Sequence, residues 1–478
     1  MSDCRTRLLW LTSALVLCSM LSACESSPAG SPFVVDEARS QLTRDQLMDP
    51  EQCKTCHPRQ YQEWSSSMHA YAAVDPVFLA MNQRGQRETG GELGEFCVKC
   101  HAPMAVLEGA TRDGLNLDEV PAKLKGVTCY FCHNAIDVGE HFNNAVDLAN
   151  DTTLRAAIEN PVSSPAHAVG YTAYLDSNRR ESAQLCGSCH DVVAPSGVHL
   201  ERTFEEYKGS LFGRLEEGFE TCAGCHMPGR KGRAAELPQA PLRTIHEHLW
   251  PGVDVALSPF PGRDIQRSAI ACELAFNTRI RAVEYDTLGT FTVLSETSAG
   301  HRQPSGAAQD RRMWIEVVAY DAQDNVVFES GRIADGEALE KAPSDPHFDP
   351  QLALYRDWIY DADGKPTHNF WEAASSSAHP DGYEALTLPY TIEPAIAHTL
   401  SARYTIARHR EIARMTVRLR MQPIGLDVLE DLVRSGDLDQ SVIEQMPTFT
   451  LEGAAVEWRP NEPTPRSLLP EELSCPSR

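Results

Sequence analysis

The sequence predicts two regions of different architecture, on the evidence of repeated motifs and of a change in residue pattern near residue 260. Five copies of Cys-x-x-Cys-His lie between residues 53 and 226 of a chain of 478 residues. Helical and strand periodicity is sparse around them, whereas short runs rich in β-branched and aromatic residues follow from Ser268 onwards. The expected fold is a mostly irregular and α-helical domain followed by an antiparallel β-sandwich of the immunoglobulin-like type.

The five motifs are the attachment signature of c-type haem. Two thiols three residues apart can both form thioethers to one porphyrin, and the adjacent histidine then supplies an axial nitrogen to the iron. Zinc sites and thioredoxin-like pairs also use Cys-x-x-Cys, but neither explains a histidine after every second cysteine. Five covalently attached haem c groups are therefore expected, held by Cys53, Cys56 and His57; Cys97, Cys100 and His101; Cys129, Cys132 and His133; Cys186, Cys189 and His190; and Cys222, Cys225 and His226.

The N-terminus carries a predicted export signal. Basic residues precede an apolar run from Leu8 to Leu21, which is too short to span a bilayer comfortably. The run ends in Leu-Ser-Ala-Cys, which resembles a bacterial lipobox, so we expect a lipoprotein signal peptide over residues 1–24 with lipid on Cys24. An ordinary signal peptide is the alternative. A lipidated cysteine would anchor the protein stably to a membrane of the bacterial cell envelope, facing the periplasm or the cell exterior.

The remaining segments are assigned from composition and periodicity. A flexible Ser/Pro-rich tether is expected over residues 25–45, the pentahaem domain over 46–259, the β-sandwich over 260–460 and a tail over 461–478. Short helices are predicted at Asp75–Asn82 and Leu200–Leu211, and a further helix near Leu426–Arg434. Strands are predicted at Arg279–Tyr285, Thr290–Ser295, Met313–Tyr320, Val326–Ser330, Ala385–Ile392 and Arg414–Met421.

The net charge of −24 bears on partners. It argues against nucleic acid and against a basic patch for anionic lipid headgroups, and the haem propionates would add to it. Of the 15 cysteines, ten belong to the motifs and three lie in or at the end of the predicted signal peptide. Cys272 and Cys475 remain, and whether they pair in an oxidising compartment is left open by the sequence.

Function depends on the second axial ligand of each haem. A haem with two histidine ligands is saturated and suited to electron transfer, whereas an open distal side can bind a small molecule. Seventeen histidines are present and five follow the motifs, so the supply of distal ligands is sufficient. The other twelve are His69, His141, His167, His199, His246, His248, His301, His347, His368, His379, His398 and His409.

Several segments beside the motifs resemble the multihaem cytochrome c superfamily that includes hydroxylamine oxidoreductase, pentahaem nitrite reductase and tetrahaem electron carriers. They are Trp64-Ser-Ser-Ser-Met-His69, Gly126-Val-Thr-Cys129, Ser164-Pro-Ala-His167, Cys225-His-Met-Pro228, His248-Leu-Trp-Pro-Gly252 and Ala299-Gly-His-Arg-Gln-Pro-Ser-Gly306. The resemblance covers most of residues 46–330. It implies distal ligation by His69, His167 and His248, and further by His301 and His246, while His199 and His141 are expected to face solvent.

The sequence also departs from these relatives. Pentahaem nitrite reductase has lysine in place of histidine at its catalytic motif, whereas all five motifs here end in histidine, and hydroxylamine oxidoreductase has eight haems. The expected function is single-electron transfer along stacked bis-histidine haems, with redox proteins of the cell envelope as partners. The alternative is a redox enzyme that acts on a small nitrogen or sulfur compound at one pentacoordinate haem.

Overall fold

The computed structural model describes residues 41–215, 220–334, 336–378, 400–462 and 464–469, together with Cys475. The predicted signal peptide with Cys24, the strand expected at Ala385–Ile392, His379 and His398 lie outside these residues. None of the helices in the described part of the chain has the length and apolar character needed to cross a membrane.

Short helices make up most of the region that carries the motifs. The α-helices in the described residues are α1 (Arg44–Leu47), α2 (Pro50–Cys53), α3 (Pro58–Ser65), α4 (Met68–Tyr71), α5 (Pro76–Glu88), α6 (Val98–His101), α7 (Pro103–Leu107), α8 (Cys129–His133), α9 (Glu181–His190), α10 (Thr203–Gly209), α11 (Leu211–Arg214), α12 (Cys222–His226), α13 (Arg263–Asn277), α14 (Leu426–Arg434) and α15 (Gln440–Ile443). Several begin at a capping side chain or a proline. Asp75 caps α5 by accepting the N–H of Val77, and Pro76 follows at a position where its missing N–H has no cost.

Both helix predictions in the motif region can be compared with the structure. The helix predicted at Asp75–Asn82 is confirmed, with Asp75 as its cap. The prediction at Leu200–Leu211 is wrong at its start, because residues up to Arg202 form a strand and α10 begins only at Thr203. The cause is tertiary: Asp191, on the strand that pairs with this segment, accepts the N–H groups of Phe204 and Glu205 and so fixes the first turn of the helix.

Strands form small pairs in the motif region and larger sheets after it. The strands are β1 (Ala135–Val138), β2 (Val146–Leu148), β3 (Thr153–Ala156), β4 (Ala168–Tyr171), β5 (Asp191–Val193), β6 (His199–Arg202), β7 (Gly229–Arg233), β8 (Leu242–His246), β9 (Thr278–Tyr285), β10 (Thr290–Thr297), β11 (Arg312–Tyr320), β12 (Val326–Ser330), β13 (Leu354–Tyr355), β14 (Asp357–Tyr360), β15 (Pro366–Thr367), β16 (Ser375–Ala378), β17 (Leu400–Thr405), β18 (Arg414–Gln422), β19 (Phe449–Trp458) and β20 (Arg466–Ser467). Of the four two-stranded pairs that the structure describes before residue 250, only β3–β4 is parallel.

The β-rich region contains three antiparallel sheets among its described residues. One has the order β17-β10-β9, a second has the order β12-β11-β18-β19-β20 with β13 paired to β11, and a third has the order β15-β14-β16. Five of the six predicted strands and the helix at Leu426–Arg434 are confirmed within these bounds. The region is thus β-rich and antiparallel as expected, while the immunoglobulin-like arrangement stays a prediction.

A common apolar core joins the first and second of these sheets. Phe291 and Val293 of β10 pack in the same buried cluster as Val317 of β11 and Leu419 of β18. The cluster also takes in Val77 and Ala80 of α5, together with residues 253, 255 and 257, so packing continues across the boundary predicted at residue 259.

The C-terminal end of the described chain is fastened to this region. Cys272 on α13 and Cys475 form a disulfide with a Cα–Cα distance of 5.5 Å. The sequence left this pairing open because 203 residues separate the two cysteines, and their proximity depends on the packing of the whole region.

Candidate haem-binding sites

The motifs lie on short helical turns, which bring their two cysteines to one side. Residues three apart share a helix face, so the first and second cysteine of each motif can reach the same porphyrin edge. The turns are α6, α8, α12 and the last turn of α9, and the first motif begins at Cys53, the last residue of α2. The next residue in each case is the histidine expected to be the proximal ligand.

Four of the five proximal histidines face a second histidine across a gap of constant width. The ring centroids are 6.2–6.4 Å apart in the pairs His57–His167, His190–His69, His133–His248 and His226–His301. A metal ion held by two imidazole nitrogens at about 2 Å each separates the two rings by roughly 6 Å. The described residues therefore fit iron with two axial histidines at four of the motifs.

Hydrogen bonds to the backbone orient most of these rings. The Nδ1 atoms of His57, His101, His133 and His226 lie 2.5–3.1 Å from carbonyl oxygens of other segments. Those of His167, His248 and His301 contact carbonyls of near neighbours at 2.7–3.0 Å. When Nδ1–H donates to a carbonyl, Nε2 carries the lone pair, so the arrangement leaves Nε2 free to bind iron.

Burial favours the neutral form, which binds metal, at several of the paired rings. It lowers the pKa of His69 to about 3 and that of His133, His190, His248 and His301 to about 4, with smaller contributions from neighbouring histidines. A histidine with a lowered pKa is uncharged at neutral pH. These five rings therefore carry no proton that would compete with a metal ion.

The second motif differs from the other four. The ring of His101 stacks on Phe78, with centroids 4.0 Å apart and planes within 5° of parallel. In the part of the chain that the structure describes, no histidine ring lies at a ligand-pair distance from His101. Its Nδ1 contacts the carbonyl of Ala72 at 3.1 Å, as at the other proximal histidines.

Charged side chains cluster near this motif. Arg311 donates to both carboxylate oxygens of Asp254 at 2.9 Å and is largely buried. Burial raises the pKa of Glu201 to about 7, against the opposing effect of Arg311, and Glu201 lies near enough to Cys100 to raise the pKa of that thiol. Sequence reasoning missed these three residues because they lie more than 50 residues apart in sequence from one another and follow no motif.

The remaining predicted ligand, His246, has no proximal histidine opposite it. Its Nδ1 contacts the carbonyl of Met227 at 2.6 Å and its Nε2 lies 3.4 Å from the hydroxyl of Ser177. Both ring nitrogens therefore have protein contacts, which gives no support to the expectation of ligation. His199 is exposed as expected, whereas His141 is half-buried against Phe204.

Trp250 is a further residue that sequence reasoning did not single out. Its indole meets the rings of His69 and His248 edge-on, at centroid distances of 4.7 and 5.4 Å. Its backbone φ of +46° lies in the left-handed region, which is uncommon for a bulky residue. Trp250 thus separates two of the histidines that face proximal ligands.

Contacts between cysteines of different motifs give the motifs an order in space. Three thiol pairs join the first motif to the third, the second to the fourth and the fourth to the fifth: Cys53 with Cys129, Cys100 with Cys189, and Cys186 with Cys222. Burial, with Cys186 and Cys189 nearby, raises the pKa of Cys132 to about 12, which brings the third motif beside the fourth. The order is first, third, fourth, with the second and fifth both beside the fourth.

Comparisons with known proteins agree with this chemistry. Residues 52–134, which contain the first three motifs in full, match the family model described as cytochrome c554 and c-prime. A penta-heme cytochrome c552 from Thermochromatium tepidum has a similar fold, with a TM-score of 0.59 at 20% identity over 86% of this chain and 98% of that one. No curated protein matches the chain. Motifs, family match and fold together support a multihaem c-type cytochrome.

Proposed function

We propose that this protein is a pentahaem cytochrome c of the bacterial cell envelope that transfers single electrons along bis-histidine haems. The observation that carries the proposal is the set of four histidine pairs with ring centroids 6.2–6.4 Å apart. When bound, haem c supplies a one-electron Fe(III)/Fe(II) couple. The haem number and the membrane anchor at Cys24 are parts of the same proposal.

The side chains at these sites suit electron transfer. A histidine on each side leaves no axial position for substrate, and backbone carbonyls hold the rings in one orientation. The identity of the axial ligands sets haem potentials over a range of ~0.8 V. The neighbouring motifs form a continuous series, which supports passage of an electron through the protein.

A second candidate function is favoured by the second motif. His101 has no facing histidine among the described residues, and the charged side chains of Arg311, Asp254 and Glu201 lie near its motif. A haem held there would keep one axial position for a small ligand, and the nearby charges could orient a polar molecule. The corresponding function is redox catalysis on a small nitrogen or sulfur compound.

Mass spectrometry and low-temperature EPR of the oxidised holoprotein test the first proposal. We expect the mass of five haems, four low-spin ferric signals and one high-spin signal from the site at His101. His69→Ala, His167→Ala and His248→Ala should each convert one further signal to high-spin, while His199→Ala serves as the matched control. Fewer than five haems, or unchanged spectra in all three variants, would overturn the assignment.

Steady-state assays separate the two functions. A carrier should take up and release electrons without turning over nitrite, hydroxylamine or sulfite, whereas an enzyme should consume one of them. Sustained turnover that is lost in Arg311→Gln but kept in the remote Arg466→Gln variant would favour catalysis at the second motif.

A further inference from the structure

We propose that the hairpin formed by β7 and β8 docks an acidic electron-transfer protein, which exchanges electrons with the haem of the first motif. This inference rests on the proposed electron-transfer function and goes beyond it by naming a surface and a class of partner. Four observations carry it: the charge of the hairpin, its attachment to the first motif, a cavity between them, and the place of that motif in the series.

The hairpin carries a local excess of positive charge on an acidic protein. Residues 229–246 contain the cations Arg230, Lys231, Arg233 and Arg243 but the single carboxylate Glu236, whereas the whole chain has a net charge of −24. Within the described residues none of these cations forms an ion pair. Lys231 contacts the hydroxyl of Thr244. Arg233 donates to the carbonyl of Ala240, and Arg243 donates to the side-chain and backbone oxygens of Asn160. Their charges therefore remain available to an anionic surface.

The loop of the hairpin is attached directly to the first motif. The N–H of Glu236 donates to the carbonyl of Cys56 at 2.8 Å, and the carbonyl of Ala234 lies 2.7 Å from Nδ1 of His57. Gln60 donates to the same carbonyl at 3.4 Å. A protein seated on the hairpin would thus be next to the haem of this motif, and it would contact the segment that orients His57.

A cavity of about 120 Å³ lies where hairpin and motif meet. Arg59, Arg230 and Arg233 line it together with Cys56 and Glu236. Thioethers form on the vinyl edge of a porphyrin, and the propionates project from the opposite edge, so cations beside Cys56 are not placed to neutralise the propionates of the same haem. Arg59 already pairs with Glu63 and Glu247, whereas Arg230 and Arg233 form no ion pair among the described residues and can take an external anion as counterpart.

The first motif is one of the ends of the series of thiol contacts. It contacts the third motif through Cys53 and Cys129, and the third leads to the fourth. An electron accepted here has one onward direction, which is the geometry expected of a terminal site. A protein partner suits this surface better than a polyanion, because the cations border a haem-attachment cysteine and occupy one short hairpin.

The test measures reduction of the oxidised full-length holoprotein by reduced flavodoxin, an acidic one-electron donor, in stopped flow at increasing ionic strength. The variant Arg230→Gln/Lys231→Gln/Arg233→Gln removes three hairpin charges. The matched control Arg281→Gln/Arg403→Gln/Arg466→Gln removes three exposed charges from the β sheets. Photoreduced lumiflavin, a small neutral donor, measures electron uptake without docking. Haem content and spin state are measured for every variant.

We expect the hairpin variant to lose about tenfold or more of the flavodoxin rate at low ionic strength and much of its salt dependence, while the control keeps both. All three proteins should react alike with lumiflavin. Equal flavodoxin rates for hairpin and control variants would overturn the docking surface. Failure of the native protein to accept electrons from lumiflavin would instead overturn the proposed function.

Two further results are decisive. Should the triple variant lose haem, the single Lys231→Glu variant replaces it, since Lys231 is exposed and contacts only Thr244 among the described residues. Its charge reversal must then slow the flavodoxin reaction more than Arg466→Glu does. Sedimentation showing that the native protein self-associates at low ionic strength through the hairpin would assign the surface to a second copy of the chain, and would overturn the proposal.

Discussion

The motif region and the β-rich region fold by different means. In the β-rich region, paired strands bury β-branched and aliphatic side chains such as Ile315 and Leu419, which lie opposite each other on β11 and β18 and are fully buried. In the motif region the apolar cluster is smaller and includes Val98, Met104 and Tyr130, the motif cysteines are partly or fully exposed, and the helices are mostly one or two turns long. The larger core of the β-rich region can therefore hold ligands in place for a region built around its haem-attachment motifs.

The two regions are not separable modules in this structure. His301, from the β-rich region, faces His226 of the fifth motif, and Arg311 pairs with Asp254. Helix α5 carries Phe78 against His101 on one side and Val77 into the β-region core on another. We therefore expect substitutions or deletions in the β-rich region to change haem binding or ligation in the motif region.

Removing residues 261–478 should have the largest effect. If the motif region were an independent domain, the shortened chain would keep its five haems and gain one high-spin signal. Loss of the common core would, however, leave Val77, Ala80 and Val253 exposed to water. We therefore expect no cooperative thermal transition and little holoprotein. A shortened chain that holds five haems and melts cooperatively would break the comparison in favour of independent domains.

Leu419→Ala should come next. Leu419 is fully buried among the sheets, and removing a buried leucine side chain costs about 2–5 kcal/mol. Denaturant unfolding followed by tryptophan fluorescence measures this loss, with the exposed Leu288→Ala as control. The spin state of every haem in the folded variant should equal that of the native protein, since Leu419 touches no ligand. A new high-spin signal would show that core packing sets ligation directly.

His301→Ala should change one haem and little else. The variant removes the ring that faces His226 at 6.2 Å, so one EPR signal should pass from low-spin to high-spin. His409→Ala, a histidine of the same region without a facing proximal histidine, is the matched control. Imidazole added to the His301→Ala protein should restore the low-spin signal. An unchanged spectrum would mean that the β-rich region contributes no ligand.

Gly85→Ala should have the smallest effect, at the contact between the regions. A Cβ on Gly85 would lie 2.6 Å from Leu93 and 2.8 Å from the indole of Trp371. Overpacking of this kind costs about 1–3 kcal/mol, and the better helix propensity of alanine offsets about 1 kcal/mol of it. We expect a net loss of stability in denaturant unfolding, relieved when Trp371→Phe is combined with it. If Gly85→Ala alone raised the free energy of unfolding, Leu93 and Trp371 would be shown to move away from the added methyl group at little cost.

Local pattern was sufficient for several parts of the fold. The strands at Thr290–Ser295 and Met313–Tyr320 and the helix at Leu426–Arg434 follow from residue preference and periodicity, which act over a few residues. The helix expected from Leu200 failed because Asp191, on another strand, caps the chain at Thr203. Strand β19 and helix α13 were not predicted. Their apolar residues can be recognised as one buried face only when the core that they cover is known.

By itself, the sequence determined the chemistry of attachment. Cys-x-x-Cys-His places two thiols and an imidazole within one helical turn, so cofactor class and proximal ligand depend on local geometry alone. Only the tertiary structure decided which histidine faces which, that His101 stacks on Phe78, and that the first motif contacts the third. These relations join segments tens to more than a hundred residues apart, and no local energy term distinguishes one distant partner from another. Burial in the folded chain makes that choice, because it brings specific rings together and holds them uncharged.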